Sequence, residues 1–419
     1  MTSVLSPQTW PFDLSLLPES AHLVGGSVRD ALLGRKADYL DLDFVVPDQA
    51  VETARSIARH YQAGFVVLDP ENQIARVVFD QATVDFAQQV GGSLEADLHR
   101  RDFTVNAIAY HPHTEQVFDP LRGCADLECG TLRMIAPDNL ADDPLRLLRA
   151  YRQAAQLGFT LDGQTRETIH QLAPLLDKVA AERVRGEIDC LLSKVAGTPL
   201  VKLAWEDGVL ATWLPNLSLQ QIKKLMAVDQ AYGYLQAHRL GFAKLLTDWV
   251  KEQTPPGFHR SWFKAAKLSR ILSVDLAIAE AELTHFKYSR AEQQAVLAIL
   301  RAWPQLVAIA DGNCSRRQQY YLFKTVGSSF IALALVGLAE GLPLSLLEGL
   351  MDRFADPNDP IAYPRSLVTG RDVMKHLGLR PGPHIGDLLA AVELAYAEGH
   401  INNPQNALEW LSHYHNQIP

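Results

Sequence analysis

The sequence is poor in several features that would assign it to well-defined classes. Its 419 residues include four cysteines, Cys124, Cys129, Cys190 and Cys314, and no CxxC pair, so neither a zinc ribbon nor a disulfide framework is expected. It has no low-complexity tract, and 47% hydrophobic against 21% charged residues is the balance of a folded chain, not of a disordered, collagenous or coiled-coil one. The longest apolar runs, such as Phe330 to Ala339, stop short of the roughly 20 residues that cross a bilayer. Residues 1–10 lack a basic segment followed by an apolar block. No membrane span and no signal peptide are therefore expected, and the expected compartment is the cytoplasm. Positive charge is lacking too: a net charge of −9 argues against a simple nucleic-acid binder, which needs a positive footprint for phosphates.

The deficit is local. Residues 1–136 hold ten Lys and Arg against nineteen Asp and Glu, whereas the other 283 residues hold twenty-nine of each. Such asymmetry suggests two jobs on one chain, with carboxylates concentrated where a cation would sit. The length itself implies two to four domains of roughly 100–200 residues. Over 1–136, short β-rich stretches (His22–Val24, Asp41–Val46, Gly64–Leu68, Ala75–Phe79, Thr83–Phe86, Thr104–Tyr110) alternate with helical patterns at Val28–Leu33 and Gln49–Tyr61, which predicts a mixed sheet packed on helices. Beyond Pro137 the periodicity is helical, broken by turns such as Gly197–Pro199, Pro255–Gly257 and Gly341–Pro343. The expected fold class is an α+β head (1–136) followed by all-α segments, a neck (137–195), a body (196–340) and a tail (341–419).

Three runs carry chemistry. In Leu23–Val24–Gly25–Gly26–Ser27–Val28–Arg29–Asp30 a strand meets a helix through two glycines, whose backbone can approach a phosphate closely. Fifteen residues after Gly26 comes Asp41–Leu42–Asp43. On a strand, residues i and i+2 share a face, so both carboxylates converge while Leu42 and Phe44 point into a core. Like charges that close call for a divalent cation, and Mg²⁺ is commonly held by one or two carboxylates plus substrate phosphates. Asp85, on a later strand, is either a third carboxylate of that set or a surface acid. The third run, Asp97 to Ala107, holds Arg100 and Arg101. Of these, Arg101 is the better candidate for a triphosphate, while Asp102 and Asn106 would orient those groups or read a ribose hydroxyl.

Taken together and in order, these runs resemble the first two motifs of the class II tRNA nucleotidyltransferases, the family of CCA-adding, CC-adding, A-adding and bacterial poly(A)-adding enzymes. Asp119–Pro120–Leu121–Arg122–Gly123 with Asp126, Leu127, Leu132 and Arg133 is similar to the third motif. Asp142–Asp143–Pro144–Leu145–Arg146 resembles the fourth, with Asp142 in place of the usual Glu, and Glu182 to Glu187 resembles the fifth. Pro364 to Asp372 and Pro381 to Gly386 look like the C-terminal segment of many members.

The resemblance implies template-independent addition of CMP, and of AMP in full CCA-adding members, to a tRNA 3′ end. CTP and ATP would be the substrates and pyrophosphate would be released, with Mg²⁺ at Asp41 and Asp43. Gly25, Gly26, Arg29 and Arg101 would hold the triphosphate. Asp143 and Arg146 would face the Watson–Crick edge of the incoming base, the carboxylate accepting from the amine that C and A share and that G and U replace with a carbonyl. Arg149 and Arg152, at i+3 and i+6 from Arg146, would support the site and the phosphates. A tRNA acceptor end is the implied partner, with no protein partner and no membrane. Only ten residues, Ala87–Ala96, separate Phe86 from Asp97. Full CCA-adding members carry a longer flexible loop there, so the short connection is the pattern of CC-adding members. The poly(A)-adding alternative is expected to come with a more basic chain and an Arg/Lys-rich C-terminal tail, and a further alternative, a non-catalytic helical RNA-binding protein, is opposed by the intact Asp41 and Asp43. Two basic stripes at helical spacing, Arg260, Lys264, Lys267 and Arg270, and Arg317 and Lys324 beside Tyr321, are expected tRNA contacts, by shape and phosphate rather than by sequence.

Overall fold

A computed structural model describes residues 4–35, 39–247, 249, 260–312 and 314–416; the turn expected at Pro255–Gly257 lies outside the described residues. The chain packs as two compact units, Met1–Ala180 with Pro199–Trp213, and Ala181–Thr198 with Leu214–Pro419.

The first unit is built on a seven-stranded sheet of β1 (His22–Val24), β2 (Leu40–Val46), β3 (Gly64–Asp69), β4 (Ile74–Phe79), β5 (Ala82–Gln88), β6 (Ala109–His111) and β7 (Gln116–Phe118). The strands lie in the order β3-β4-β5-β2-β1-β6-β7. Only the central β2/β5 pair is parallel. Its helices are α1 (Gly26–Leu32), α2 (Ala50–Tyr61), α3 (Leu94–His99), α4 (Gly123–Cys129), α5 (Pro137–Asp142), α6 (Leu145–Leu157) and α7 (Gly163–Leu172). A two-residue strand pair, Thr131–Leu132 with Thr160–Leu161, ties the end of the sheet region to the helices.

Strand alternation sorts the residues between the faces of the sheet. Leu42, Phe44, Val84 and Phe86 turn to one side and are buried, as are Trp10, Phe12 and the α2 residues Ala54, Ile57 and Ala58. Phe44 and Phe86 stack with centroids 5.5 Å apart, and Trp10 meets Phe44 edge-on. Each such ring contributes about 1.5–3 kcal/mol by leaving water. The opposite side holds Val24, Val45 and Ala109 packed with Leu98 of α3, and further along β2 and β5 the polar row Asp41, Asp43, Thr83 and Asp85. The strand expected over Thr104–Tyr110 is in part a turn: Thr104–Asn106 is a single 3₁₀ turn, and the strand begins at Ala109. The side chain of Asn106 is drawn into a buried polar network there, as described below.

The second unit contains α8 (Ala181–Leu192), the first residue of α9 (Thr198–Glu206, which from Pro199 onward belongs to the first unit), α10 (Leu219–His238), α11 (Leu240–Thr247), α12 (Trp262–Ile271), α13 (Leu276–His285), α14 (Arg290–Ala310), α15 (Arg316–Val326), α16 (Phe330–Ala339), α17 (Leu344–Ala355), α18 (Gly370–Leu377), α19 (Pro383–Glu398) and α20 (Pro404–His415). Ser218, Ser289, Ser315 and Thr369 each close a capping box at a helix start, satisfying N–H groups that a helix cannot bond internally. The span Arg316–Ala339 is long and apolar enough to cross a membrane by composition, but 67% of its most apolar window is buried inside the fold. A helix apolar on all sides, as α16 is, is a core helix when so covered.

The first basic stripe is corrected by this packing. Every residue of α12 is buried, and its cations are spent internally. Lys264 Nζ meets Asp189 at 2.9 Å and Glu292 at 3.0 Å. Lys267 Nζ meets Asp229 at 2.6 Å and donates to Thr198 Oγ1 and the Lys194 carbonyl, and Arg270 pairs with Glu340. Lys264, Lys267 and Arg270 are thus core ion pairs closed off from any tRNA backbone, because an unpaired buried charge would be too costly. Arg260, the fourth member, is partly exposed and precedes the helix.

Candidate active site

The β1–α1 turn approaches the sheet row at Gly25. This residue has φ +79°, and a Cβ built on it would lie 3.4 Å from Asp43 Oδ2 and 3.5 Å from Arg101 Nη1. Glycine lets turn backbone, carboxylate and guanidinium meet at one point. Beside that point opens a cavity of about 340 Å³ whose lining includes Gly26, Ser27, Arg29, Arg35, Asp41 and Asp43, a size in the range that takes small ligands.

Asp43 responds to its burial and crowding. Asp41 is exposed and accepts a 2.7 Å bond from Thr83 Oγ1. Asp43 is pushed up to about 7, first by burial and then by the charges of Asp41 and Asp85, with Arg101 and Arg76 opposing. Asp85 sits opposite Asp43 in the β2/β5 ladder, and both of its oxygens accept from Arg76, each at 2.7 Å. Among the described residues no group of three or more His, Cys, Asp or Glu is arranged to hold a metal. Two carboxylates on one strand face, one of them driven toward neutrality by burial and by the other's charge, nevertheless fit a hard divalent cation that completes its shell with substrate oxygens. Nucleotidyltransferases generally use such a cation.

The arginines are set by a continuous polar network. Arg29 forks onto Asp30 at 2.9 and 3.0 Å and donates from Nη1 to Asn106 Oδ1 at 2.7 Å. Asn106, itself buried, donates to Asp102 at 2.8 Å and Gln153 at 2.9 Å, and Arg149 Nε meets Asp102 at 2.9 Å. The amide of Asn106 is therefore consumed in orienting its neighbours, not in reading a ribose. Arg101 bonds Asp97 at 3.1 Å, while its buried Nε has no partner, an unmet donor beside the glycine turn of the kind a phosphate oxygen satisfies. Arg146 caps the end of α3 from outside, donating to the carbonyls of Arg100 and Asn139 at 2.9 Å, while Asn139 takes those of His99 and Arg101. Arg152 bonds Gln156 at 2.6 Å, and Arg35 grips the last carbonyls of α6, at Gln156 and Leu157. Asp143 lies partly exposed, next to the start of α6. Helix α6 is thereby pinned to the glycine turn and to the segment after α3.

Sequence reasoning missed Arg76, Thr83, Asp97 as a partner, Asn139 and Gln153. Arg76 was accessible: a two-residue turn, Asp80–Gln81, joins β4 to β5 and sets Phe79 against Ala82, hence Arg76 against Asp85. Gln153 gave no signal, since a glutamine in a helix pattern does not announce burial.

In the second unit, Arg317 and Lys324 lie on a cleft of about 500 Å³ among α15, α19 and α20, with Tyr321, Trp410 and Tyr414. Trp410 and Tyr414 stack at 4.8 Å. Lys324 contacts Glu393 and Tyr320, and Arg317 stands 3.9 Å from Glu398 with 60% of its side chain exposed.

A face that can cradle a triphosphate and hold a cation on strand carboxylates, with a pinned arginine helix beside it, places the molecule among the nucleotidyltransferases. Family models agree region by region: "Poly A polymerase head domain" matches residues 21–133, "Probable RNA and SrmB- binding site of polymerase A" matches 158–220, and "tRNA nucleotidyltransferase domain 2 putative" matches 260–411. The chain is 46% identical over 406 residues to a CC-adding tRNA nucleotidyltransferase of Synechocystis sp., covering 96% of this chain and 95% of that one. It is 32% identical to an A-adding tRNA nucleotidyltransferase of Deinococcus radiodurans, covering 96% and 97%. A solved CCA-adding enzyme in complex with ATP shares the fold, with TM-score 0.73 at 20% identity over 94% of this chain and 91% of that one. The chain belongs to the tRNA nucleotidyltransferase family.

Proposed function

We propose that the protein is a CC-adding enzyme: it transfers CMP from CTP to a tRNA 3′ end, twice, and stops. The observation that carries this is the connection from β5 to α3. It consists of five residues, Gln89–Ser93; its start is tied by Gln89 N–H to the Val46 carbonyl at 2.8 Å and Val90 N–H to Asp97 at 3.3 Å, and its end by Ser93 Oγ, which accepts from Ala96 N–H at 3.1 Å. Gly91 is packed so closely that a Cβ there would lie 2.8 Å from Ala96 Cβ. Such a tether has no slack with which to reshape the base pocket from CTP to ATP. The relation to the Synechocystis enzyme supports the same reading.

In this reading Asp41 and Asp43 hold Mg²⁺. The ion supplies charge to the α-phosphate and the departing pyrophosphate. Arg29, Arg101 and the Gly25–Gly26 backbone hold the triphosphate in line for attack by the tRNA 3′-hydroxyl; Asn106, tied through Asp102 to Arg149, keeps Arg29 oriented, and Asp97 keeps Arg101 oriented. Asp143 accepts from the exocyclic amine of cytosine, and the N–H groups of Arg146 left over from its capping bonds donate to ring acceptors. Arg317, Lys324 and the ring pair Trp410–Tyr414 form a basic and aromatic surface for tRNA, a combination that serves backbone contact and stacking. The division of labour follows the segments 1–136 for chemistry, 137–195 for base choice, and 196–340 with 341–419 for tRNA, and the setting is the cytoplasm.

The test is incubation with tRNA ending at the discriminator base, labelled CTP or ATP, and Mg²⁺. Two CMP additions followed by arrest are expected. A terminal AMP in the presence of ATP would make the enzyme fully CCA-adding, and long A tracts on many RNAs would refute tRNA-specific addition.

A further inference from the structure

The cavity beside the acidic pair does not end at the carboxylates. Its lining includes Gly26, which opens α1, and Arg35, which follows the end of that helix, so it runs the length of α1, about 10 Å. Two arginines line it, and their charges are met differently. Arg29 has an acid of its own, the fork onto Asp30. Arg35 has no carboxylate at ion-pair distance among the described residues. Its Nη1 and Nη2 donate instead to the carbonyls of Gln156 and Leu157, at 3.1 and 3.0 Å, in the last turn of α6, where the helix dipole favours a cation. A guanidinium has five N–H donors, so most of them stay available. Tyr39 shares the lining, is 43% exposed, and its hydroxyl makes no hydrogen bond among the described residues.

We propose that Arg35 and Tyr39 seat the terminal phosphate of the incoming nucleoside triphosphate. With the reacting phosphate at Asp41 and Asp43, the rest of the chain of phosphates extends along α1, and the charge left at its far end needs a donor set without an acid of its own. Arg35 supplies the charge and Tyr39 a neutral O–H. Arg35 also holds the end of α6, the helix at whose start stand Asp143 and Arg146. A bound triphosphate is thereby linked through one guanidinium to the far end of the base-reading helix, and a diphosphate lacks the group that makes the link. This inference rests on the reading of the cavity as the nucleotide site.

The test compares the affinities of CTP and CDP by titration calorimetry in Mg²⁺ without tRNA, with thermal melting to confirm folding. Arg35→Gln is expected to weaken CTP roughly tenfold and Tyr39→Phe roughly threefold, the scale of a charged and a neutral hydrogen bond, while each variant binds CDP within twofold of the parent. Equal weakening of CTP and CDP in Arg35→Gln would reduce the arginine to a brace on α6 and overturn the proposal, as would an unchanged affinity for CTP. Should Arg35→Gln not melt as a folded protein, Tyr39→Phe decides: a loss confined to CTP upholds the seat, and no loss overturns it. A parent protein that transfers no CMP from CTP to tRNA refutes the reading of the site itself, a failure distinct from a parent that transfers CMP while its variants bind CTP normally.

Discussion

Helices α6 and α12 look alike in sequence and differ in what their cations do. Both carry Lys or Arg at three-residue spacing. On α12 each of Lys264, Lys267 and Arg270 has a carboxylate of its own inside the second unit. On α6, Arg146 is held by two backbone carbonyls and Arg149 by Asp102, and both side chains stay at least partly exposed. A basic stripe is core where its cations are themselves buried, as on α12, and is open to a ligand where they stay partly in water. Acids divide in a related way: burial raises both Asp43 and Asp189, but Asp189 is bonded by Lys264 and Tyr288, whereas Asp43 is crowded by Asp41 and Asp85, against Arg101 and Arg76.

This contrast can be broken at several points. Asp43→Ala is expected to reduce CMP incorporation by roughly 10³-fold or more while tRNA binding, followed by gel shift, stays largely intact; removing the charge that holds a catalytic cation has effects of that order. Undiminished incorporation would refute the assignment. Lys267→Ala should lower stability by about 3–5 kcal/mol by stranding Asp229, whose side chain is only 10% exposed, read by denaturant unfolding, with the rate per folded molecule unchanged; Lys267→Met/Asp229→Leu should recover much of the loss. Arg146→Ala should behave in the opposite way, cutting kcat/KM for CTP about 10²-fold, as losing a charged hydrogen-bond set of 2–3 kcal/mol does, with little change in melting temperature. A large stability loss there would make α6 as structural as α12.

Metal-free pH dependence is a finer probe. The folded chain keeps the Asp43 proton up to about 7, while the unfolded chain releases it near 4. The folded state then binds more protons between these values, so this group makes stability fall as pH rises from about 4 to 7 and adds no slope above. Melting temperatures in chelator should show that decline in the parent and less of it in Asp43→Asn; equal slopes would remove Asp43 as its source. The smallest effect is expected at Lys324→Ala, a few-fold loss of tRNA affinity with the salt slope reduced by roughly one if the ammonium contacts one phosphate.

The sheet was legible because period-two alternation leaves a direct trace: Leu42 and Phe44 inward, Asp41 and Asp43 outward, as found. The glycine turn and the acidic pair were legible because residue type and spacing are the chemistry there. What the sequence hid was pairing between distant positions. Nothing local at Lys264 says that Asp189 and Glu292 will close over it, and nothing at Asn106 says that Gln153 will. The 3₁₀ turn at Thr104–Asn106 escaped for the same reason, because it is stabilised by side chains forty-odd positions away.

The tether at Gln89–Ser93 also does something other than limit substrate choice. Val90 N–H is bonded to Oδ1 of the carboxylate whose Oδ2 receives Arg101, and Gly91, at φ +85°, leaves no room for a methyl group against Ala96. Gly91→Ala would push on the first turn of α3 and, through Asp97, on the guanidinium beside Gly25. A residue that touches no ligand thus belongs mechanically to the active site, as a brace whose failure would be read as weakened nucleotide affinity and not as unfolding.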